Sequence, residues 1–182
     1  MEVKSVELIK EHDNNSEVVI GLVGATGTNL DQLKITIKEI LTAFSYDVME
    51  IRISSDIINK LRPIGALEGN YNKINALMSA GNELRRISKN NAILSMAASA
   101  IISSHREKEE SGLPKPKSRK AYIIHSLKHP DEVNLLREIY TNGFYLIGVY
   151  SDEKRRKEYL VNHKSVLNEE AEDLIKRDAH EG

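Results

Sequence analysis

The residues Glu17-Val-Val-Ile-Gly-Leu-Val23, followed by Gly24-Ala-Thr-Gly-Thr-Asn29, decide the fold of this chain. The first stretch is apolar and rich in β-branched residues, without polar alternation, which is typical of a strand buried on both faces of a parallel sheet. After the glycine-rich turn, apolar residues recur at three- and four-residue steps, at Leu30, Leu33, Ile37, Leu41 and Phe44. This spacing predicts one apolar face of a helix. Strand, glycine turn and helix therefore follow one another.

The rest of the chain continues this alternation. The pattern predicts three more strands, at residues 47–53, 121–124 and 144–150. Between them it predicts three helices. Two follow the apolar stripes 71–84 and 93–101 and are separated at residues 89–91, and the third covers residues 130–140. Strands that alternate with helices predict a parallel sheet with helices on both faces, a three-layer α/β/α fold.

A chain of 182 residues fits one domain of ordinary size, so we expect a single domain over residues 1–182. Residues 107–120 mix charge with Pro and Gly and contain almost no apolar side chain, which predicts an exposed, flexible loop. Residues 168–182 are acidic, with a few spaced apolar residues, and favour a last amphipathic helix.

The bulk composition restricts the partners of the protein. A net charge of −1 and 5% aromatic residues do not favour general nucleic-acid binding, and the chain has no apolar run that resembles a membrane span. The absence of cysteine excludes disulfides and zinc–thiolate sites within this chain and fits a reducing compartment, so the cytoplasm is expected. The six histidines show no metal-ligand spacing, so no metal site is predicted from side chains.

The glycine-rich turn is the strongest chemical signal. Glycines three residues apart allow the backbone to turn sharply and to present N–H groups next to a helix N-terminus, which favours phosphate binding. The candidate binding residues in the turn are Gly24, Ala25, Thr26, Gly27, Thr28 and Asn29. The alternative is a tight turn that needs positive φ for packing alone.

A phosphate-transferring loop of the Walker A type ends in Gly-Lys-Ser/Thr, but here the corresponding residues are Asn29-Leu30-Asp31. Without the lysine, we expect the loop to bind a nucleotide but not to transfer phosphate. No catalytic residue is therefore predicted. Arg85 and Arg155 belong to cationic clusters that suit phosphate, although such clusters more often form solvated helix faces. A nucleoside or nucleotide kinase with an atypical loop remains an alternative.

An NADP-binding, Rossmann-type reductase is the other alternative. Gly-Ala-Thr-Gly also opens some NADP-binding turns, and Glu50 lies about 20 residues on, where a ribose acceptor is expected. Against it, Leu30 replaces the third glycine of the dinucleotide motif, and the chain shows no Tyr-x-x-x-Lys pair.

The chain resembles the N-terminal, nucleotide-kinase-like domain of bacterial anti-phage deoxycytidine-nucleotide deaminases. The resemblance covers nearly the whole chain, and it is carried by residues 20–27, 77–85, 121–133 and 144–151, of which the last two blocks are the most specific. Lys154 to Lys157 loosely match the Arg-rich lid helix of the wider nucleotide-kinase pattern.

This resemblance implies a nucleotide or deoxynucleotide ligand and a regulatory role beside an attached or associated dCTP or dCMP deaminase domain. In the family, zinc belongs to that deaminase domain, where zinc-bound water attacks the pyrimidine. The present sequence lacks the cysteines of such a domain, so we expect either a fragment cut at the domain boundary or a stand-alone relative. A homo-oligomer is compatible with the resemblance.

Overall fold

A parallel four-stranded sheet organises the protein. The computed structural model describes residues 16–108, 112 and 114–180. The strands are β1 (Val18–Gly24), β2 (Asp47–Arg52), β5 (Lys120–Leu127) and β6 (Phe144–Val149), in the spatial order β2-β5-β1-β6. Two short strands, β3 (Glu107–Lys108) and β4 (Pro114–Lys115), form a separate antiparallel pair.

Helices flank the sheet. Helix α1 (Leu30–Ala43) follows β1, and a π-helical segment (Ile53–Ile58) follows β2 and continues into the single turn α2 (Asn59–Leu61). The other helices are α3 (Asn70–Ser88), α4 (Ile93–His105), α5 (Pro130–Tyr140), α6 (Glu153–Lys164) and α7 (Asn168–His180).

The strands β1 and β5 pack apolar side chains into two different clusters, because successive side chains of a strand point to opposite faces of the sheet. Ile20 and Ile123 belong to the apolar cluster that contains Leu30 and Ile37 of α1. Their neighbours Val19 and Tyr122 belong to a larger cluster with the buried residues of α4 and α5. A third cluster joins α6 and α7, with side chains of α3 packed against it. The observed architecture is therefore α/β, with a mostly parallel sheet and flanking helices.

The locally encoded elements agree with the sequence-based expectations. The first strand is shifted by one residue, and the helix over residues 130–140 has the predicted bounds. The helix boundary at residues 89–91 is also confirmed, since Lys89 caps α3 with a φ of 53°. The predicted amphipathic tail helix forms over Asn168–His180 and buries Ala171, Leu174 and Ile175.

Two expectations require correction. The apolar spacing predicts Phe44 on the apolar face of the first helix, but α1 ends at Ala43 and Phe44 is 67% exposed. The segment 107–120 was predicted as one exposed loop, but it contains the β3–β4 pair, and Lys120 already belongs to β5. Residues 109–111 and 113 of that segment lie outside the described residues, and its flexibility stays a prediction.

The strand order also bears on the dinucleotide alternative. In a Rossmann-type sheet the second strand in sequence lies beside the first. Here β5 lies between β1 and β2, so the order differs from that fold. The carboxylate of Glu50, the expected ribose acceptor, forms ion pairs with the Lys34 ammonium at 2.9 Å and the Lys38 ammonium at 3.2 Å.

Over the described ranges, no helix combines the length and the hydropathy that a bilayer crossing requires.

Candidate phosphate-binding site

The glycine-rich turn connects β1 directly to α1, which confirms the predicted order of strand, turn and helix. Gly24 ends the strand and Leu30 begins the helix. Asn29 caps the helix, because its side-chain oxygen accepts a hydrogen bond from the Gln32 N–H at 3.1 Å. The turn therefore sits at a helix N-terminus, where the helix dipole favours an anion.

Gly27 is the residue of this turn that no other amino acid replaces easily. Its φ is +87°, in the region that favours glycine, and a Cβ added there would lie 2.7 Å from the carbonyl oxygen of Arg156 in α6. The Arg156 side chain also donates to the Thr26 carbonyl at 3.3 Å. The glycine thus permits a close approach between the turn and α6, in addition to any role in binding.

The backbone N–H groups of the turn are only partly available to a ligand. The Thr28 N–H donates to the Ala25 carbonyl at 2.9 Å, and the Leu30 N–H donates to the Thr28 carbonyl at 2.8 Å. The Thr26 N–H points to a carboxylate oxygen of Asp178 at 2.7 Å. The N–H groups of Thr28 and Leu30 are therefore satisfied within this segment, and the N–H group of Thr26 is bound by Asp178.

Lys128 supplies a positive charge to the turn from the end of β5, the strand beside β1 in the sheet. It directly follows β5, which lies parallel to β1, so the carboxyl ends of the two strands meet. Its Nζ lies 3.3 Å from the Gly24 carbonyl oxygen and 3.2 Å from Thr26 Oγ1. Lys128 is thus close to the turn although it is distant from it in sequence.

The two positions that follow Asn29 have neither the lysine nor the hydroxyl of a Walker loop. Leu30 is buried and packs in the cluster between the sheet and α1. Asp31 accepts hydrogen bonds from Arg52 at 2.5 Å, from Lys164 at 3.1 Å and from the Tyr159 hydroxyl at 3.3 Å. Burial raises the pKa of the Asp31 carboxyl, but Lys164 and Arg52 outweigh it, so this pKa lies well below its usual range. Asp31 is therefore an ionised centre that pairs with Arg52, Lys164 and, at 3.6 Å, Lys34.

His125, near the end of β5, is a buried imidazole beside this centre. Its Nδ1 lies 3.0 Å from the Ser126 hydroxyl, and its Nε2 has no hydrogen-bond partner among the described residues. Burial lowers the pKa of His125 to about 4, and Arg52 adds to this effect while Asp31 opposes it. The imidazole is consequently neutral at pH 7, and its Nε2, which makes no hydrogen bond among the described residues, lies 3.6 Å from Asp31 Oδ1.

These groups line one cavity of about 440 Å³. Its charged lining consists of four cations and two acids, namely Arg52, Arg85, Lys128, Lys164, Asp31 and Asp178. Another part of the wall is apolar and comes from the sheet, the π-helical segment, α3, α4 and α6, with Ile53, Ile58, Leu77, Leu94 and Leu160 among its residues. Three buried polar atoms in the lining have no hydrogen-bond partner in the described part of the chain, namely Thr28 Oγ1, Arg85 Nε and His125 Nε2. The cavity is thus amphipathic and contains polar atoms that a ligand or water can satisfy.

Of the two arginines singled out from the sequence, only Arg85 lies in this cavity. Its guanidinium donates to the Glu132 carboxylate at 2.9 Å, and the Glu132 side chain is fully buried. Glu132 also accepts from the N–H groups of Lys128 at 2.8 Å and His129 at 3.0 Å, which fixes the segment that carries Lys128. Arg85 therefore has a structural partner and one nitrogen left for a ligand.

Arg155 lies elsewhere. Its side chain is 78% exposed on α6 and pairs with Asp152 at 3.3 Å. It lines a second depression of about 330 Å³, which it shares with Gly27 and Asn29 of the turn. The structure thus brings Arg85 and Arg155 to different concave surfaces that both border the turn.

Sequence reasoning missed Arg52, His125 and Lys128, although one signal identifies them. All three lie at or just beyond the carboxyl ends of parallel strands, where ligands of open α/β sheets bind. Lys164 and Asp178 gave no such signal, because only the packing of α6 and α7 brings them to the cavity. Within the part of the chain that the structure describes, no group of three His, Cys, Asp or Glu side chains is arranged to hold a metal ion.

Comparisons with known proteins give little beyond this geometry. No protein-family model matches the chain, and no curated protein sequence matches it significantly. Among solved structures, the chain is similar to a gluconokinase from Sinorhizobium meliloti 1021, with a TM-score of 0.46 and 11% sequence identity. The match covers 87% of this chain and 73% of that chain. The likeness is one of coarse overall shape.

Proposed function

We propose that this domain binds a nucleotide in the 440 Å³ cavity, with its phosphates at the glycine-rich turn and Lys128 and its base against the apolar wall. The proposal rests on one observation, namely that a single cavity combines the charged groups beside the turn with an apolar wall. Cavities of several hundred Å³, mostly apolar with a few convergent polar groups, are the usual form of small-molecule sites.

The local charge supports an anionic ligand. The whole chain carries a net charge of −1, yet the charged side chains of the cavity include four cations and two acids. The cations outnumber the acids, and a surplus of one sign of charge in a cleft raises the local concentration of the opposite charge. Arginine and lysine side chains beside a helix N-terminus fit the phosphates of such a ligand.

The remaining cavity wall supports a ligand with a planar, partly apolar ring. Ile53, Leu77 and Leu94 provide apolar surface, while Arg85 Nε and His125 Nε2 provide polar atoms without partners. A buried polar atom without a partner costs about 1–3 kcal/mol, so a ligand that satisfies it gains affinity. A nucleobase has both an apolar face and polar edges.

The proposal extends to a degenerate, P-loop nucleotide-kinase-like domain of three layers that binds without transferring phosphate. Leu30 is buried and Asp31 is held by Arg52 and Lys164, so the lysine and hydroxyl of a Walker loop have no counterparts at those positions. By the resemblance stated above, its role is to regulate a deoxycytidine-nucleotide deaminase domain, which contains the zinc and the chemistry, in the cytoplasm. Arg155 is proposed to contact phosphate from the second depression.

One observation favours the kinase alternative. Lys128 Nζ lies within 3.3 Å of the turn, so a lysine just beyond β5 supplies positive charge of the kind that a Walker loop obtains from its own lysine. A kinase transfers phosphate from ATP, whereas a domain that only binds the nucleotide does not. We expect no transfer from ATP to any deoxynucleoside or its monophosphate, and turnover above a heat-inactivated control that disappears in Lys128→Met would favour the kinase.

Binding is tested by calorimetry with a panel of deoxynucleoside triphosphates and NADPH. Lys128→Met should weaken nucleotide binding roughly tenfold to a hundredfold, because a hydrogen bond to a charged group contributes about 1.5–3 kcal/mol. Lys154→Met is the matched control, since Lys154 is exposed on α6 and does not line the cavity. Equal affinities of the two variants would contradict a phosphate site at Lys128, and preference for NADPH would favour the reductase.

A further inference from the structure

The position expected for a ligand phosphate is already occupied by a side chain of the protein. Asp178, near the end of α7, accepts from the Thr26 N–H at 2.7 Å and from the Thr26 hydroxyl at 2.8 Å. It also accepts from Lys128 Nζ at 2.8 Å. We call these three donors, the Thr26 N–H, Thr26 Oγ1 and Lys128 Nζ, the anion seat.

The anion seat has the chemistry of a phosphate site. A backbone N–H, a hydroxyl and an ammonium group are donors that phosphate oxygens accept from. A carboxylate uses the same donors with two oxygens, and two anions cannot share them without strong repulsion. The Asp178 side chain is 14% exposed, so little solvent screens it from the seat.

The carboxylate is also ionised in this position. Burial raises the pKa of Asp178, but Lys128 and the hydrogen bonds from Thr26 outweigh burial and hold the pKa below its usual range. The seat is therefore filled by a full negative charge at neutral pH.

We propose that Asp178 is an internal competitor of the ligand, which binds its phosphate at the anion seat only by displacing this carboxylate together with the last turn of α7. This inference rests on the proposed nucleotide function. It adds that occupancy of the cavity is coupled to the conformation of the chain around Asp178.

The packing of α7 restricts the displacement to its last turn. The buried anchors Ala171, Leu174 and Ile175 precede Asp178 and pack against Leu160 and Val166. Arg177 is bound to α3 through the Asn75 carbonyl at 3.1 Å and Ser79 at 3.1 Å. Asp178 lies two residues before the helix end at His180. Release of the carboxylate therefore frays the helix end, while the anchored part of α7 stays in place.

The test compares Asp178→Asn with Asp173→Asn. Both changes remove one negative charge from α7, but Asp173 contacts the Tyr71 hydroxyl at 2.7 Å and does not line the cavity. Affinities for tripolyphosphate and for a deoxynucleoside triphosphate are measured by calorimetry on folded protein, as judged by circular dichroism. We expect Asp178→Asn to bind both ligands about tenfold or more tightly than wild type, and Asp173→Asn to bind like wild type.

A second measurement needs no variant. Amide hydrogen exchange of the wild-type chain should become faster over residues 178–180 when the nucleotide binds, while residues 168–177, which include the anchor Arg177, stay protected. Unchanged or slower exchange at 178–180 in the bound state would overturn the displacement.

The outcomes separate the two proposals. If wild type binds the nucleotide and Asp178→Asn binds equally or more weakly, the competitor is wrong and the nucleotide function stands. If wild type does not bind but Asp178→Asn does, both proposals are supported. If neither protein binds either ligand, both are overturned.

Discussion

At the residue scale, His125 makes the stability of this protein depend on pH. The folded state holds the imidazole neutral, with a pKa of about 4, while an unfolded chain has a value near 6.5. Between these values the unfolded chain binds more protons, so the free energy of unfolding falls as the pH falls from 6.5 towards 4. At lower pH this contribution is lost completely.

Between pH 6.5 and 4, we expect the free energy of unfolding of His125→Gln to fall by roughly 1–3 kcal/mol less than that of wild type. The measurement is urea denaturation at a series of pH values. Ser126→Ala is the control, because it removes the hydroxyl beside Nδ1 and keeps the imidazole, so it should retain the decline. A His125→Gln profile parallel to wild type would show that the imidazole is protonated in the folded state as easily as in the unfolded one.

At the scale of single elements, α7 is the helix that joins the cavity to the end of the described chain. Its apolar residues pack with α6 in a cluster that also contacts Tyr71, Ile74 and Met78 of α3. The charged partners Lys157 and Glu172, 2.6 Å apart, add a half-exposed contact between α6 and α7. Such exposed pairs contribute little to stability, so the apolar cluster holds the helix in place.

Two leucines test this dependence. Leu174 is fully buried in the cluster, while Leu167, directly before α7, is 69% exposed. Leu174→Ala should lower the free energy of unfolding by about 2–5 kcal/mol, because it removes buried methyl groups and leaves a cavity. Leu167→Ala should change it by less than about 0.5 kcal/mol. Denaturant titration measures both, and similar values for the two variants would contradict the packing of α7.

At the scale of the whole molecule, the clusters indicate one cooperative unit. The largest cluster unites the sheet with residues of α3, α4 and α5, and the α6–α7 cluster is attached through other residues of α3. A domain of this size with connected cores usually unfolds in a single transition. This expectation also tests the assignment of residues 1–182 to one domain.

We therefore predict coincident unfolding curves from far-ultraviolet circular dichroism and from tyrosine fluorescence, for which the chain offers seven tyrosines and no tryptophan. A ligand that binds only the folded state should move both curves together, by about 2.7 kcal/mol at a hundred times its dissociation constant. Separate midpoints for the two probes would show that a part of the chain, such as α6 and α7, unfolds by itself.

The elements of this fold follow from the sequence because their signals are local. The apolar strand before Gly24, the glycine turn and the helix over residues 130–140 are each specified within a few residues, by burial pattern, by φ preference and by capping. The presence of Leu30 where a Walker loop has its lysine is equally local. The sequence by itself therefore determined an α/β chain with a glycine-rich turn between its first strand and helix.

The tertiary structure alone decided what surrounds that turn. Lys128 and Asp178 meet Thr26 across sequence separations of 102 and 152 residues, so no local pattern encodes their contact. The order β2-β5-β1-β6 brings the end of β5 beside the turn, and the packing of α7 on α6 and α3 delivers Asp178 to it. Such juxtapositions depend on how the elements pack together, a global free-energy balance in which each single residue contributes little.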